Sequence, residues 1–360
     1  SFVALILILS HPLLLFIFSP QTLALLNIFS APWRARFAVV AVLSLIALVV
    51  FSIWRKKLKI DYYSWRIWHG ILSVLAVGAA LVHVEMAGYY VSTPFKRALW
   101  IVYTVFWVGL LLYTRLIKPW WLTKHPYRVV DVNEERGNSW TLTLEPFGHK
   151  GFKFHPGQFC WINLGSSPFS EKEHPFSISS SAVKPGRISF TIKELGDFTR
   201  TIRHTKVGES VYVDGPYGAF TTDRHDQARE FIFVAGGVGI TPVMSILRTM
   251  ADCGETRKLV LFYANRDWES ITFREELEEL KGRLNLQLIH VLERPHDNWD
   301  GKSGYLNREM LEEIIPPELS INQVEVFLCG PPPMMRAVNR IVRDLEIWPG
   351  DFHYERFDLV

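Results

Sequence analysis

Hydrophobic and polar positions alternate in three different ways along this chain. Near-continuous apolar runs fill about 2–18, 37–54, 65–90 and 97–117. Each is close to the ~20 residues that cross a hydrocarbon layer as a helix. From Tyr127 the period changes to two, in YRVVDV (127–132), WTLTLEP (140–146), QFCWINL (158–164), RISFTIKEL (187–195) and SVYVDG (210–215). Short alternating strands broken by Gly, Pro and Asn predict an antiparallel barrel. Solid apolar runs then appear near 231–235, 258–263, 286–291 and 324–329, with helical patterns between them. That order predicts a parallel α/β sheet. The predicted organisation is therefore an α-helical transmembrane bundle over 1–121, an antiparallel β-barrel over 122–226 and an α/β parallel-sheet domain over 227–360.

Charge sharpens this division. Residues 1–121 hold 11 of the 39 basic residues but only two acids, Asp61 and Glu85, so 28 basic and 34 acidic residues remain for the rest. Basic residues concentrate in loop 55–66 (Arg55, Lys56, Lys57, Lys59, Arg66) and in 115–128 (Arg115, Lys118, Lys124, Arg128). The other side has only Arg34, Arg36, Lys96 and Arg97. The excess of positive charge places loop 55–66 and everything after 115 on the cytoplasmic side, in an integral protein of the cell membrane. No basic stripe interleaved with aromatics appears in the globular part, which argues against a nucleic-acid partner. Cys160, Cys253 and Cys329 fit neither a zinc site nor a disulfide framework. The first apolar run lacks the basic flank and cleavage site of a signal peptide, so the expectation is a fragment whose true start lies upstream.

Histidines are the unusual residues of the apolar third. His69 and His83 bracket an uncharged stretch, HGILSVLAVGAALVH. Fourteen positions are close to four helical turns, so the pair shares one face at a separation of ~21 Å. His11, in LILSHPLLLF and followed by Pro12, lies on the first run. One reading is polar residues hydrogen-bonded between helices. The other is haem iron clamped between imidazoles of two facing helices, a closed six-coordinate arrangement suited to electron transfer. Two b-type haems need four ligands. His11, His69 and His83 supply three, and the fourth is expected 14 residues before His11, ahead of Ser1.

The α/β third carries REFIFVAGGVGITPVMSILRTM (229–250), a buried strand, a glycine turn and an amphipathic helix. Gly236 and Gly237 open the turn, and Gly237-x-Gly239-x-x-Pro242 replaces the third glycine of the dinucleotide fingerprint with proline. Proline suits a first helical turn. Glycines let a pyrophosphate approach a helix N-terminus, whose dipole and free N–H groups favour anions. Asn265 and Arg266, after the second strand, are placed to meet an adenosine ribose. Arg266 suits a 2′-phosphate, which favours NADPH, with NADH as the alternative donor.

HPFSISSS (174–181) resembles the flavin-binding signature of the ferredoxin reductase superfamily. It is most similar to the histidine-led variant in ferric reductases and NADPH oxidases. HPGQF (155–159), KELGDFTRTI (193–202), DGPYGAF (214–220), GVGITP and CGPPPMM (329–335) accompany it, and the resemblance covers nearly the whole chain. It implies FAD in the barrel. His174 and Pro175 would lie against the cofactor, Phe176 near the isoalloxazine and Ser177 near its N5. Gly196, Asp197, Phe198 and Thr199 would approach the pyrophosphate. In the nucleotide domain it implies contacts to NADPH from Gly236, Gly237, Gly239, Thr241, Pro242, Gly330 and Pro331. Cys329 would sit near the nicotinamide, and Phe357 would cover the flavin. Phe357 is followed by Asp358, Leu359 and Val360, whereas the oxidases end on the aromatic, so the tail looks more like the bacterial reductases.

The activity implied is transfer of electrons from cytoplasmic NADPH through FAD and two haems to an extracytoplasmic acceptor. The small-molecule candidates are a ferric chelate, for a ferric reductase, and dioxygen, for a superoxide-forming oxidase. Oxidases commonly have another histidine one turn after the outer ligand of the first haem helix; Leu15 stands there, which tilts the expectation toward a reductase. A membrane-anchored flavin reductase without haem is the more distant alternative.

Overall fold

The computed structural model describes residues 2–89, 91–165, 167–170, 172–184, 186–313, 324–344 and 352–356. It divides into two compact units, Ser1–Trp120 with Phe169–Lys172, and Trp121–Pro168 with Glu173–Val360.

The first unit is helical. Helix α1 spans Phe2–Phe18, α2 Trp33–Trp54, α3 Tyr62–Ala87 and α4 Pro94–Leu112; a π-helical turn, Tyr113–Ile117, leads from α4 into α5, Lys118–Lys124. Local chemistry sets the ends. The Asp61 carboxylate accepts from the Ser64 amide and Gly88 closes α3 in the left-handed conformation. Thr93 caps α4, with Pro94 at its first position. Three helical stretches, Trp33–Trp54, Tyr62–Ala87 and Pro94–Lys124, are long and apolar enough to cross a membrane. Helices α2 and α3 pack together, burying Ala35, Ser44 and Val49 against Ala76 and Ala79. Small side chains let two helix backbones approach closely. Large apolar residues such as Leu43, Val74, Val102 and Phe106 point outward.

The second unit holds two six-stranded sheets. The first comprises β1 Tyr127–Glu135, β2 Ser139–Pro146, β3 Phe159–Leu164, β4 His174–Ser177, β5 Ile188–Lys193 and β6 Ser210–Tyr217, in the order β4-β3-β6-β1-β2-β5. All its pairings are antiparallel. An antiparallel bridge between Ile178 and Phe190 brings the two edges back together. Leu142, Leu144, Ile162, Ile178, Phe190 and Ile192 fill the interior, the inward half of the period-two pattern.

The second sheet is parallel: β7 Glu230–Gly236, β8 Lys258–Asn265, β9 Leu286–Leu292, β10 Lys302–Ser303, β11 Val324–Cys329 and β12 Phe352–Glu355, ordered β10-β9-β8-β7-β11-β12. Helices α6 Ile240–Cys253, α7 Arg274–Lys281, α8 Arg308–Glu312 and α9 Pro332–Asp344 accompany it. One face packs on α6 through Phe231, Phe233 and Phe327, the other through Ile232, Val234 and Val338. Residues buried on both faces explain the unbroken apolar runs.

Polar bonds join barrel to sheet within this unit. The Ser245 hydroxyl of α6 donates to the Ser180 carbonyl at 2.7 Å, and the Ala182 amide donates to Thr249 at 2.9 Å. Arg248 donates to the Ser179 carbonyl at 2.6 Å and to Glu276 at 2.7 Å. At the other end of the junction Arg136 donates to Glu275 at 2.7 Å, and this pair holds the Glu275 carboxyl down to about 2.

Candidate flavin and nucleotide sites

Strand β4 is HPFS itself. It pairs antiparallel with β3, Ser177 facing Phe159 and His174 facing Ile162. The loop after β5 folds over it. The Thr199 hydroxyl accepts from the amides of Leu195 and Gly196 at 2.8 and 2.9 Å and donates to the Gly196 carbonyl at 3.1 Å. That closure sets Phe198 flat on His174, with ring centroids 3.8 Å apart and planes within 18°. Phe176 lies nearly parallel to Phe198 at 6.1 Å. The loop of Gly196, Phe198 and Thr199 therefore lies against His174 and Phe176, with Pro175 between these two on the strand and Asp197 exposed at the loop tip. Since Thr199 takes the Gly196 amide, that N–H does not point at a phosphate.

Ser177 completes the cradle. Its side chain is buried, and its hydroxyl has no hydrogen-bond partner among the described residues. An orphaned buried hydroxyl costs about 1–3 kcal/mol, which a polar ligand atom would recover. The flat aromatic and imidazole rings suit stacking on an isoalloxazine, and the orphaned hydroxyl at the end of the same strand suits a polar ligand atom.

The glycine turn follows β7 directly. Gly237 adopts φ +52° in open space, a conformation that favours glycine on a side where a ligand can approach. The neighbouring glycines serve packing. A Cβ on Gly239 would lie 2.4 Å from the Cys329 carbonyl oxygen, one on Gly236 2.6 Å from the Met334 sulfur, and one on Gly330 2.4 Å from the Met334 methyl. Gly236, Gly239 and Gly330, all expected to contact NADPH, thus also let the end of β7, the end of β11 and the first turn of α9 approach closely. Thr241 is buried and donates to the Val238 carbonyl at 2.8 Å and, across the junction, to the Thr191 carbonyl at 3.4 Å. Pro242 is buried in the first turn of α6, while Pro331 is exposed beside the glycine turn.

Asn265 ends β8 with its side-chain amide nitrogen buried and without a hydrogen-bond partner among the described residues. Arg266, beside it, is exposed. Both fit a nucleotide reaching over the carboxyl ends of the strands. Cys329 is fully buried; desolvation, reinforced by the charge of Glu355, pushes its thiol well up. It is packed into the core at the end of β11, beside the glycine turn. Phe357 lies outside the described residues.

In the helical unit, His69 and His83 do share a face. His69 Nδ1 is 3.2 Å from the Ser52 hydroxyl, and His83 Nδ1 is 2.8 Å from the Arg34 carbonyl. Both partners belong to α2 or its first turn, and α2 contains no histidine. The expected facing helix was α1, where His11 is exposed. The pair turns toward α2 because α2 and α3 bury their small residues against each other. With Nδ1 engaged, Nε2 is the nitrogen on each ring that a metal would take.

A model of the FAD-binding domain family matches residues 137–221, and one of the oxidoreductase NAD-binding domain family matches 233–340. The chain carries a ferredoxin reductase-type FAD- and NAD-binding module. Relatives of the module include the glycine betaine monooxygenase reductase subunit of Pseudomonas aeruginosa, 32% identical over 66% of this chain and 65% of that protein. The toluate 1,2-dioxygenase electron transfer component of Pseudomonas putida is 32% identical over 60% and 62%. The reductase component of propane 2-monooxygenase from Rhodococcus jostii is 28% identical over 60% and 59%. The chain thus spans roughly three fifths to two thirds of these relatives' length. The fold is shared with the FAD/NAD-binding domain of a Vibrio cholerae nitric oxide dioxygenase, with TM-score 0.57 and 23% identity over 65% of this chain and 98% of that one. It is shared equally with the cytochrome b5 reductase domain of Ulva prolifera nitrate reductase, with TM-score 0.56 and 20% identity over 65% and 98%. The reductase module is that of an NAD(P)H-dependent flavin oxidoreductase.

Sequence reasoning missed the second half of HPFSISSS, whose backbone carbonyls serve the junction with α6 while the Ser179 and Ser180 hydroxyls bond to β5. The signal was present, since a run of small polar residues beside a buried strand needs partners for its backbone. It also missed a cluster of His225, Glu325 and His353, whose members lie too far apart in sequence to form a motif.

Proposed function

We propose that this protein takes electrons from NADPH at the reductase module, and passes them singly through histidine-ligated haem in the helical unit to an extracytoplasmic small-molecule acceptor, a ferric chelate before dioxygen. The observation that carries the flavin half is the flat stack of Phe198 on His174, on the strand whose last residue, Ser177, has a buried, orphaned hydroxyl. FAD, when bound, converts a two-electron donor into single electrons. The protein's own part is positional. His174, Phe176 and Phe198 stack against a planar ring. Ser177 supplies one hydrogen bond in a site cleared of water. Gly237 leaves room for a pyrophosphate, Asn265 offers an amide to a ribose, and Arg266 offers a guanidinium to a 2′-phosphate.

The haem half is supported by the fixing of His69 and His83 through Nδ1, the usual orientation device for a metal-ligating imidazole, and by apolar helices of spanning length. The charge bias of the loops supports a cytoplasmic module and a location in the cell membrane. A second reading, a membrane-anchored flavin reductase serving a protein acceptor, is favoured by the turning of both imidazoles toward α2. The reductase subunits and electron transfer components among the relatives point the same way. A reduced-minus-oxidised spectrum of the protein expressed in a haem-replete membrane separates the two. Bands of six-coordinate b-type haem, lost in His69→Ala and His83→Ala, support the first reading; a flavin spectrum alone supports the second.

A further inference from the structure

We propose that His225, Glu325 and His353, none of them part of a motif read as serving flavin or nucleotide, form a binding site for a divalent zinc-type metal ion. His225 Nδ1 lies 2.9 Å from one Glu325 carboxylate oxygen, and His353 Nε2 lies 2.7 Å from the other. The two imidazole centroids are 4.4 Å apart. One donor atom from each residue falls within 4.8 Å of the others. Two imidazoles and a carboxylate are the donor set of many three-ligand zinc sites. Bonds of ~2.0–2.2 Å to such donors need separations of a little over 3 Å, so only slight spreading of the present contacts is required.

The site is built rather than fortuitous. Side-chain exposures are 18% for His225, 14% for Glu325 and 20% for His353, so water competes weakly while one side stays open for a fourth ligand. Three elements supply the residues, and each is independently held. Glu325 lies on β11, in the row Glu325, Phe327, Cys329 that faces α6. His353 lies on β12, in parallel register with Phe327. His225 sits in the segment between barrel and sheet, where its amide donates to the Thr222 carbonyl at 3.0 Å and its carbonyl accepts from Ala228 at 3.1 Å. Arg257 donates to the carbonyls of His225 and Ala228 at 3.4 and 3.2 Å. Phe327 forms the floor, its ring 4.6 Å from His353 and 5.9 Å from His225.

A carboxylate can only accept, so each imidazole nitrogen facing Glu325 carries the proton in the metal-free state. Binding replaces those two N–H bonds with metal–nitrogen bonds, and each neutral ring then carries its one proton on the other nitrogen. Two neutral imidazoles and one carboxylate then balance half of a divalent charge. Donors of this kind select zinc-like ions over calcium or magnesium, which prefer all-oxygen shells. A bound ion would staple the edge strand β12, four residues before Phe357, to β11 and to the segment that joins the two sheets.

The test uses the full chain in detergent, freed of metal by chelator and titrated calorimetrically with zinc chloride, alongside Cys253→Ser, His225→Gln and Glu325→Gln. The expected result is one zinc per chain, retained in Cys253→Ser, and weakened at least tenfold in His225→Gln. His225 lies outside both sheets, so this variant keeps the fold, checked by its circular dichroism. Zinc at a hundredfold excess over Kd should raise the Tm by roughly 5–10 °C, and magnesium should not. No saturable zinc binding, or binding unchanged in His225→Gln and Glu325→Gln, overturns the proposal, as does a site abolished by Cys253→Ser.

Discussion

Replacing Arg248 with methionine should loosen the joint between barrel and nucleotide sheet. The Arg248 guanidinium lies 2.6 Å from the Ser179 carbonyl, pairs with Glu276 and sits over the Phe273 ring at 4.8 Å. Methionine keeps most of the stem but none of the donors. Ser179 is fully buried, so its carbonyl would lose its partner away from water, at a cost of about 1–3 kcal/mol. The Glu276 pair is partly exposed, at 20% and 35%, and contributes no more than about 1 kcal/mol after solvent screening. The sum, about 1–4 kcal/mol, corresponds to a fall in Tm of roughly 3–15 °C for a unit of this size. Glu276→Gln removes only the smaller part and should lower the Tm by less than about 4 °C. Thermal unfolding followed by flavin fluorescence reads both variants. If Arg248→Met melts with Glu276→Gln, or unshifted, the Ser179 bond does not hold the joint and the reasoning fails.

Ser177→Ala should keep the fold and bind FAD, yet slow anaerobic flavin reduction by about 10-fold or more in stopped flow, as loss of one buried hydrogen bond predicts; an unchanged rate would remove Ser177 from the site. The turn glycines should separate cleanly: Gly239→Ala drives a Cβ into the Cys329 carbonyl and should cost about 2 kcal/mol or more. Gly237→Ala costs only about 1–2 kcal/mol of backbone strain, and its main effect should be a raised KM for NADPH with little change in KM for flavin-site inhibitors. Arg266→Ala should erase most of any NADPH-over-NADH preference, read as the ratio of kcat/KM values, and leave NADH turnover nearly intact. Burial holds the imidazole of His290 down to about 4, below its ordinary 6.5, with Glu278, Lys281 and Arg274 as lesser influences. The unfolded chain binds that proton first, so stability is full above about 6.5 and falls as pH drops toward 4, by at most about 3 kcal/mol. His290→Leu should show a flatter stability profile over that window in urea titrations at stepped pH.

Much of this molecule follows from the spacing of its apolar residues. The long apolar runs are α1 to α4, and alternation located β1, β2, β3, β5 and β6 to within a few residues. Strand β4 escaped because HPFS is four residues long and contains a proline, and its pairing with β3 is a tertiary event. Strands β10 and β12 escaped for the same reason: two and four residues cannot establish a period. The helical phase of His69 and His83 was legible, since fourteen residues fix a face. Which neighbour that face meets was not, because the choice depends on how Ala76 and Ala79 fit α2. Glycine turns read alike in sequence, yet Gly237 faces open space while Gly239 lies beneath a carbonyl. The barrel-side serines and the His225, Glu325, His353 cluster depend on contacts between residues far apart in the chain, which no local pattern records.

The most direct test of the account is an anaerobic titration of the FAD-loaded, haem-replete protein with NADPH, followed in the visible spectrum. The account predicts that about two equivalents of NADPH, four electrons, leave the flavin bleached and two haems reduced with sharpened bands, and that ferric chelate reverses both. A flavin that NADPH leaves oxidised would contradict the reductase assignment itself, and a bleached flavin with no haem change would confine the protein's electrons to the module.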